Sequence, residues 1–149
     1  MTRVFEQIAT IINNLQKRVG ALETIEMPRW TYLPTPLTST SWDGDKYGDA
    51  AKTSLDLSAV FGAPAGIKAV LMYVSINDSD SAATDCFIVL SPNDTALSGM
   101  HFNAEPVNDR PGRRGEVIPC DANGDIYYQI EASGADTADI YLQIWGYAK

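Results

Sequence analysis

The chain has 149 residues, a length that fits one domain with a short appendage. Eleven Lys and Arg residues against nineteen Asp and Glu residues give a formal net charge of −8. A chain this acidic is a poor candidate for wrapping nucleic acid, whose phosphates require a basic face. No apolar stretch approaches the roughly 18 residues of a membrane span, and the first residues lack the apolar core of a secretion signal. We therefore expect neither nucleic acid nor membrane insertion.

The sequence changes character at Met27–Pro28. Residues 1–26 have no net charge, contain no proline and follow a helical apolar rhythm. All eight net negative charges therefore belong to residues 27–149, which are rich in Thr, Ser, Asp, Gly and Pro between short apolar runs. We expect an α-helix over 1–26 and a β domain over 27–149, with the helix ending before Pro28 because proline disfavours helical geometry at the residue before it.

The N-terminal segment carries a heptad repeat. Its apolar residues recur at alternating intervals of four and three, which predicts a coiled coil. A helix of this length is marginal alone in water, so its stability must come from partner helices. The alternative is an amphipathic helix that packs on its own domain. The residues that we assign to trimerisation are Phe5, Ile8, Ile12, Leu15, Arg18, Val19, Leu22 and Glu23.

Two features favour three helices over two. Apolar residues also occupy the flanking positions Val4, Ile11 and Ile25, which widens the contact surface beyond the need of a dimer. The segment Arg18-Val19-Gly20-Ala21-Leu22-Glu23 resembles the trimerisation signature of short coiled coils, in which the arginine reaches the glutamate of the neighbouring helix. In this heptad Ile12 and Val19 occupy position a, and Leu15 and Leu22 occupy position d; β-branched residues at a with leucine at d would alone favour a dimer. We predict a parallel homotrimer, with three copies of the next domain around a threefold axis.

The remaining residues predict a mostly β fold, a jelly-roll-like antiparallel β-sandwich. Short apolar runs alternate with clusters of turn-forming residues, among which Asn123-Gly124 is a strong tight-turn signal. No segment after Arg29 shows convincing helical periodicity. The candidate strands are Trp30–Leu33, Lys52–Val60, Ile67–Asn77, Cys86–Leu90, Met100–Asn103, Glu116–Pro119, Asp125–Glu131 and Asp139–Gly146.

The sequence carries no recognisable catalytic motif. Its one histidine, His101, has no metal-ligand spacing and is interpreted as a structural or surface residue. Aspartates in the turn clusters 43–45, 78–80 and 121–125 could offer oxygens to calcium, but they also stabilise turns, and the twelve-residue calcium loop is missing. We expect no enzymatic activity, no cofactor and no metal.

The two cysteines and the basic run leave alternatives open. Cys86 and Cys120 are expected to be buried thiols, with a disulfide between them as the alternative. The run Arg110-Pro-Gly-Arg-Arg114 predicts either a solvated loop or a loop that contacts a neighbouring subunit or an anionic glycan.

Aromatic residues are the other candidates for a binding surface. Trp42 lies in a polar Ser-Trp-Asp-Gly turn and is the best exposed candidate for stacking on sugars, whereas Tyr141 and Trp145 are expected in the core. The candidate receptor contacts are therefore Trp42, Arg110, Arg113 and Arg114.

A short coiled coil followed by an acidic β domain resembles the appendage proteins of bacteriophages, such as head fibres, tail-fibre tips, receptor-binding knobs and trimeric decoration proteins. The resemblance also extends to the segments 33–45, 55–70, 121–128 and 144–147. It implies a non-enzymatic homotrimer in the virion, assembled in the host bacterial cytoplasm. Its role would be host attachment or decoration of the capsid or tail.

The same resemblance implies the partners. The N-terminal helix would contact other virion proteins, and the β domain would be displayed, with a host surface glycan as one partner. The alternative is a carbohydrate-binding β-sandwich module of cellular origin. A depolymerase or esterase that uses His101 is a third class, for which no motif is present.

Overall fold

The computed structural model describes residues 2–23, 28–39, 41–42, 44, 50–79, 86–107, 109–134 and 136–149. Within these residues the chain forms two helices and eight strands. Their bounds are α1 Thr2–Glu23, β1 Trp30–Thr38, β2 Ala50–Leu55, α2 Leu57–Phe61, β3 Ala69–Asp78, β4 Phe87–Ser91, β5 Met100–Asn103, β6 Gly112–Pro119, β7 Ile126–Glu131 and β8 Ala138–Ala148. The predicted domain boundary between residues 26 and 27 lies outside the described residues.

The strands form two four-stranded sheets. Sheet A has the order β1-β8-β3-β6, and sheet B has the order β2-β7-β4-β5. Each of these neighbouring pairs is antiparallel. The chain passes from one sheet to the other at every connection except the one between β4 and β5. The predicted mostly β antiparallel sandwich is thereby confirmed.

The core lies between the inner faces of the two sheets. In the central strands β3 and β8, buried residues alternate with residues that face outward, as the period of two in a strand requires. The side chains that these two strands contribute to the core are Val70, Met72, Val74, Ile76, Ala138, Ile140, Leu142 and Ile144.

The predicted strand Lys52–Val60 is wrong in its second half. Strand β2 ends just before Asp56, whose Oδ1 accepts the backbone N–H of Ala59 at 2.8 Å and so caps the short helix α2. Leu57 and Phe61, four residues apart on one side of α2, are buried. A single helical turn is too short to produce a recognisable periodicity, so the sequence pattern concealed it.

Strand β1 extends beyond the predicted end at Leu33. It continues through Pro34 and Pro36, and its register against β8 shifts between Tyr32 and Leu37. Strand β1 is an edge of sheet A. An edge strand tolerates proline because one side of its backbone has no partner strand to which it must donate a hydrogen bond.

One carboxylate organises the predicted turn between β6 and β7. The Oδ1 atom of Asp121 accepts the backbone N–H groups of Asn123, Gly124 and Asp125 at 2.8, 3.0 and 2.9 Å. This pattern is an Asx-type turn, and Gly124 takes a φ of 95°, which a glycine adopts without strain.

Replacing Asp121 with alanine should lower the free energy of unfolding by about 1–3 kcal/mol, because three amides lose the carboxylate as acceptor. The Gly124 amide keeps its second acceptor, the Asp121 carbonyl oxygen at 3.2 Å. Urea denaturation at a fixed protomer concentration measures the loss. Asp121→Asn keeps one side-chain oxygen and should retain most of the stability. An alanine variant as stable as the unchanged protein would contradict this role of the carboxylate.

Candidate functional site

The first candidate surface is the apolar face of α1, which we call the α1 seam: Ile8, Ile12, Leu15 and Val19. These residues follow each other at intervals of three and four, so they lie along one side of the helix. Each is roughly half exposed, with fractions between 47% and 52%. All side chains from residue 7 to residue 20 are exposed. Over residues 7–20, the alternative of a helix packed on its own domain is therefore not what the structure has.

Only part of the predicted trimerisation set can be located. Arg18 is exposed beside the α1 seam. The side chains of Phe5, Leu22 and Glu23 lie outside the described residues, so the predicted contact between Arg18 and Glu23 of a neighbouring helix stays a prediction.

The second candidate surface is the outer face of sheet A. Tyr141 and Trp145 of β8 point out of the sandwich, and their exposed fractions are 45% and 39%. The expectation that these two aromatic residues belong to the core is wrong. From Ala138 to Ile144 the inward-facing side chains of β8 are aliphatic, whereas Tyr147, near the end of the strand, packs partly against the core.

A line of hydrogen bonds, which we call the β8 ladder, joins the side chains of Tyr141, Gln143 and Trp145. Gln143 Nε2 donates to the Tyr141 hydroxyl at 3.1 Å, and Trp145 Nε1 donates to Gln143 Oε1 at 3.2 Å. Both ends of the amide are therefore engaged, and each ring is tied to it by its polar edge. The ladder holds the two rings on a surface that remains exposed to solvent.

Arg113 lies in the same cross-strand row as Tyr141. Ser75 of β3 is the register partner both of Arg113 in β6 and of Tyr141 in β8. Directly opposed residues of antiparallel strands point to the same side of the sheet, so all three share the outer face. Because neighbouring strands lie about 4.8 Å apart, the Cα atoms of Arg113 and Tyr141 are separated by about 10 Å.

The three predicted arginine contacts do not lie in one loop. Strand β6 begins at Gly112, four residues earlier than predicted, so Arg113 and Arg114 are strand residues, and Arg110 precedes the strand. Arg114 is the register partner of the buried Val74 and therefore faces the opposite way from Arg113. The alternation of a strand thus separates two adjacent arginines and leaves Arg113 as the one on the outer face.

Trp42, the predicted aromatic contact, is not an exposed residue. Its ring packs edge-on against Tyr128 of β7, with ring centroids 5.6 Å apart and planes at 85°. The side chain is partly buried against the core. Ser39 Oγ accepts the Trp42 backbone N–H at 2.8 Å. The polar turn around Trp42 concealed a side chain that packs inward.

The other end of the outer face carries a second aromatic pair. Trp30 and Tyr32 of β1 are stacked, with centroids 6.3 Å apart and planes at 21°. Tyr32 is 71% exposed and lies opposite Gly146 of β8. A Cβ atom at Gly146 would come within 2.9 Å of the Thr31 carbonyl oxygen, so the close approach of β1 requires glycine there.

His101 and Asp125 contact backbone groups of the fold. His101 lies on β5, where its Nε2 is 2.9 Å from the Leu97 carbonyl oxygen. Asp125 accepts the Leu57 backbone N–H, and burial raises the pKa of its carboxyl group. Across the part of the chain that the structure describes, no three His, Cys, Asp or Glu residues are grouped to hold a metal ion. The candidate ligands Asp43, Asp45 and Asp80 lie outside that part.

The two cysteines do not form a disulfide; Cys86 is buried and Cys120 is partly buried. Burial raises the pKa of Cys120 to about 12, and the nearby carboxylates of Asp121 and Asp125 act in the same direction. A thiol with so high a pKa has very little of the thiolate that reacts with alkylating reagents.

We expect iodoacetamide to alkylate Cys120 of the folded protein about a thousandfold more slowly than it alkylates free cysteine, whose pKa is about 8.5. Mass spectrometry of samples quenched over time measures the rate. Both cysteines should react at the ordinary rate in concentrated urea, which serves as the control. Rapid labelling of Cys120 in the folded protein would contradict the expectation.

Comparisons with known proteins identify no family for this chain. No protein-family model matches the chain, and no curated protein matches it. Among the solved structures, a similar chain is the coat protein of Tobacco streak virus, with a TM-score of 0.40 and 6% sequence identity over 85% of this chain and 91% of that chain. At this score and identity, neither a function nor a partner is transferred from that protein.

Proposed function

We propose that this chain is a non-enzymatic structural protein of a bacteriophage particle, a homotrimeric fibre or knob displayed for host attachment or for decoration of the capsid or tail. The observation that carries the proposal is the α1 seam, which the described β-sandwich leaves uncovered. Removing apolar surface from water contributes about 25 cal/mol per Å² before the entropic cost of association. Since a helix of this length is marginal alone, copies of the same chain are the natural partners.

The strand order supports a jelly roll. The orders β1-β8-β3-β6 and β2-β7-β4-β5 are those of an eight-stranded sandwich that is built from two Greek keys. Jelly rolls recur in viral capsid domains and in lectins. Both uses are compatible with a displayed domain that needs a stable body and a free outer face.

The connection between α1 and β1 limits how far the two parts can separate. Glu23 ends α1 and Trp30 begins β1, so the intervening chain spans at most about 25 Å. In a parallel three-helix bundle, the three sandwiches would therefore be held with the Trp30 end of sheet A near the bundle. The helices would form a stalk that contacts other virion proteins, and the β domains would form the knob.

The location that follows is the virion, after assembly in the cytoplasm of a bacterial host. The acidic balance of the chain, −8, agrees with a partner other than nucleic acid. Within the described residues, no helix is both long enough and apolar enough to cross a bilayer.

A second candidate function, a carbohydrate-binding module of cellular origin, is favoured by the β8 ladder, because exposed Tyr and Trp rings with bound polar edges suit sugars. The two functions differ in where the protein occurs. Only the first requires it to be part of a particle.

An antibody against the purified protein, applied to intact particles of the virus that encodes the sequence, distinguishes the two. We expect label on the outside of the particles in electron microscopy, together with a sedimentation-equilibrium mass of three chains. Particles that carry no label, whether intact or disrupted, would contradict the proposal, and so would a monomeric mass.

A further inference from the structure

We propose that the outer face of sheet A binds a glycan that contains uronic acids, with a sugar ring stacked on the β8 ladder and its carboxylate held by Arg113. We call Ser75, Arg113, Tyr141, Gln143 and Trp145 the acid-sugar site. The proposal rests on the proposed function only in that it names the host-surface partner of the displayed domain.

The β8 ladder provides a stacking surface that is ordered in advance. Tyr and Trp present a large apolar ring with a polar edge, and in the ladder both polar edges are already bonded to Gln143. The rings therefore lose little conformational freedom when a ligand arrives, which removes part of the cost of binding. Their exposed fractions, 45% and 39%, leave ring surface available to the C–H face of a pyranose.

Gln143 has hydrogen-bonding capacity left. A primary amide offers two N–H donors and two acceptor lone pairs. The ladder uses one donor and one lone pair. The remaining N–H and lone pair can bond sugar hydroxyl groups between the two rings, and the Ser75 hydroxyl lies one strand away in the row of Tyr141.

Arg113 supplies the charge complementarity. Its guanidinium has five N–H donors and can hold a carboxylate through two parallel hydrogen bonds. Among the described residues, no carboxylate forms an ion pair with it, and no hydrogen bond engages its guanidinium. In a protein with a net charge of −8, an arginine without an ion pair beside a stacking face is a local positive charge that favours an acidic ligand.

Asp139 sets the orientation of the ligand. It is exposed on the same face, two residues before Tyr141 on β8, and its register partner is Asn77. A carboxylate on the sugar would be repelled over Asp139 and attracted over Arg113. The acid group must therefore point across β3 toward β6, away from the Asp139 end of the β8 ladder.

The composition of the face separates this site from a contact between copies. Trp30, Tyr32, Leu71 and Val117 lie at the end of sheet A where the chain arrives from α1, and this apolar composition suits contacts between subunits. Tyr141 lies about 23 Å along β8 from Ala148, the register partner of Trp30. The residues next to Tyr141 along β8 on this face, Asp139 and Gln143, and its register partner Ser75 are polar, although Tyr73 lies diagonally across on β3. Its distance from the proposed stalk leaves Tyr141 accessible to a host surface.

Titration of the full-length protein with oligogalacturonate, followed by tryptophan fluorescence and calorimetry, tests the proposal. The methyl ester of the same oligomer has the same rings without the charge. Its dissociation constant should be at least about tenfold higher than that of the acid. Arg113→Gln should bind the acid about tenfold more weakly and should no longer distinguish acid from ester. Arg29→Gln removes the same charge at the opposite end of sheet A and should bind as the unchanged protein does.

Trp145→Ala should weaken the binding of acid and ester alike, because it removes the stacking surface and leaves Arg113. Circular dichroism and sedimentation of each variant show whether fold and mass are unchanged. The absence of saturable binding to oligogalacturonate and to a glucuronate oligomer would overturn the proposal, as would unchanged discrimination in Arg113→Gln. If Arg113→Gln or Trp145→Ala abolished the trimer but left the affinity for the sugar unchanged, this face would be a contact between copies and not a sugar site.

The two proposals can fail separately. A trimer on the particle that binds no acidic sugar would remove the acid-sugar site and leave the proposed function intact. A monomer that binds oligogalacturonate with the Arg113 dependence described above would do the opposite.

Discussion

Leu15→Asp is expected to reduce the sedimentation mass of the protein to that of one chain. Leu15 occupies a d position in the middle of the α1 seam and is 52% exposed in the single chain. In a parallel trimer, three aspartates would meet at the bundle axis. Burying charged groups without partners costs several kcal/mol for each group, so three aspartates at the axis strongly oppose association.

A matched control separates the position from the charge. Asn14→Asp adds the same charge one residue earlier, on the side of α1 away from the seam, and should leave the mass unchanged. A trimer that persists in Leu15→Asp would remove the α1 seam as the basis of assembly. The circular dichroism of the β domain should be the same in both variants, since the seam is not part of its core.

Ile144→Ala and Trp145→Ala, at adjacent positions of β8, should differ sharply in stability. Ile144 is completely buried between the two sheets, and its truncation should cost about 2–5 kcal/mol in the free energy of unfolding. Trp145 faces outward, so its removal should cost about 1 kcal/mol or less despite its larger size. Urea denaturation at equal protomer concentration measures both values.

The opposite ranking would mean that the two faces of β8 are exchanged. The two variants therefore test directly whether Trp145 faces outward, contrary to the expectation from the sequence that it belongs to the core. The comparison is also a control for the acid-sugar site, because Trp145→Ala is informative about binding only if the protein remains folded.

The β-sandwich could be predicted because its signal is local. Alternation in β3 and turn residues such as Asp121 and Gly124 locate strands and turns without knowledge of the partners. The predicted bounds of strands and helices were wrong where the sequence pattern was too short or ambiguous. Helix α2 has one turn, and the two prolines of β1 are compatible with a strand only because β1 is an edge of sheet A.

The acid-sugar site could not be predicted in the same way. Arg113, Ser75 and Tyr141 come from three strands that are far apart in sequence, and the pairing register that aligns them is a property of the folded sheet. No sequence pattern indicated a role for Gln143, since that role depends on the side chains of Tyr141 and Trp145 on either side of it. The face of β8 could have been assigned by noting that Leu142 and Ile144 have no polar atoms in their side chains, whereas Tyr141 and Trp145 need partners for theirs.

The heptad pattern predicted part of what the structure of α1 shows. It located α1 and its exposed apolar face correctly, but the number of helices that meet there depends on contacts between chains. The preference for three over two therefore stays a prediction until the mass is measured.

The prolines of β1 have a consequence for protein in concentrated or crowded preparations. Unprotected sheet edges offer rows of backbone groups to which a strand of another molecule can add, and such additions grow into aggregates. Pro34 and Pro36 remove two amide donors from one edge of sheet A, and Arg113, Arg114 and Glu116 place charges along the other. Sheet A is thus protected at both edges against open-ended strand addition, so we expect close packing of many copies without fibril growth through this sheet.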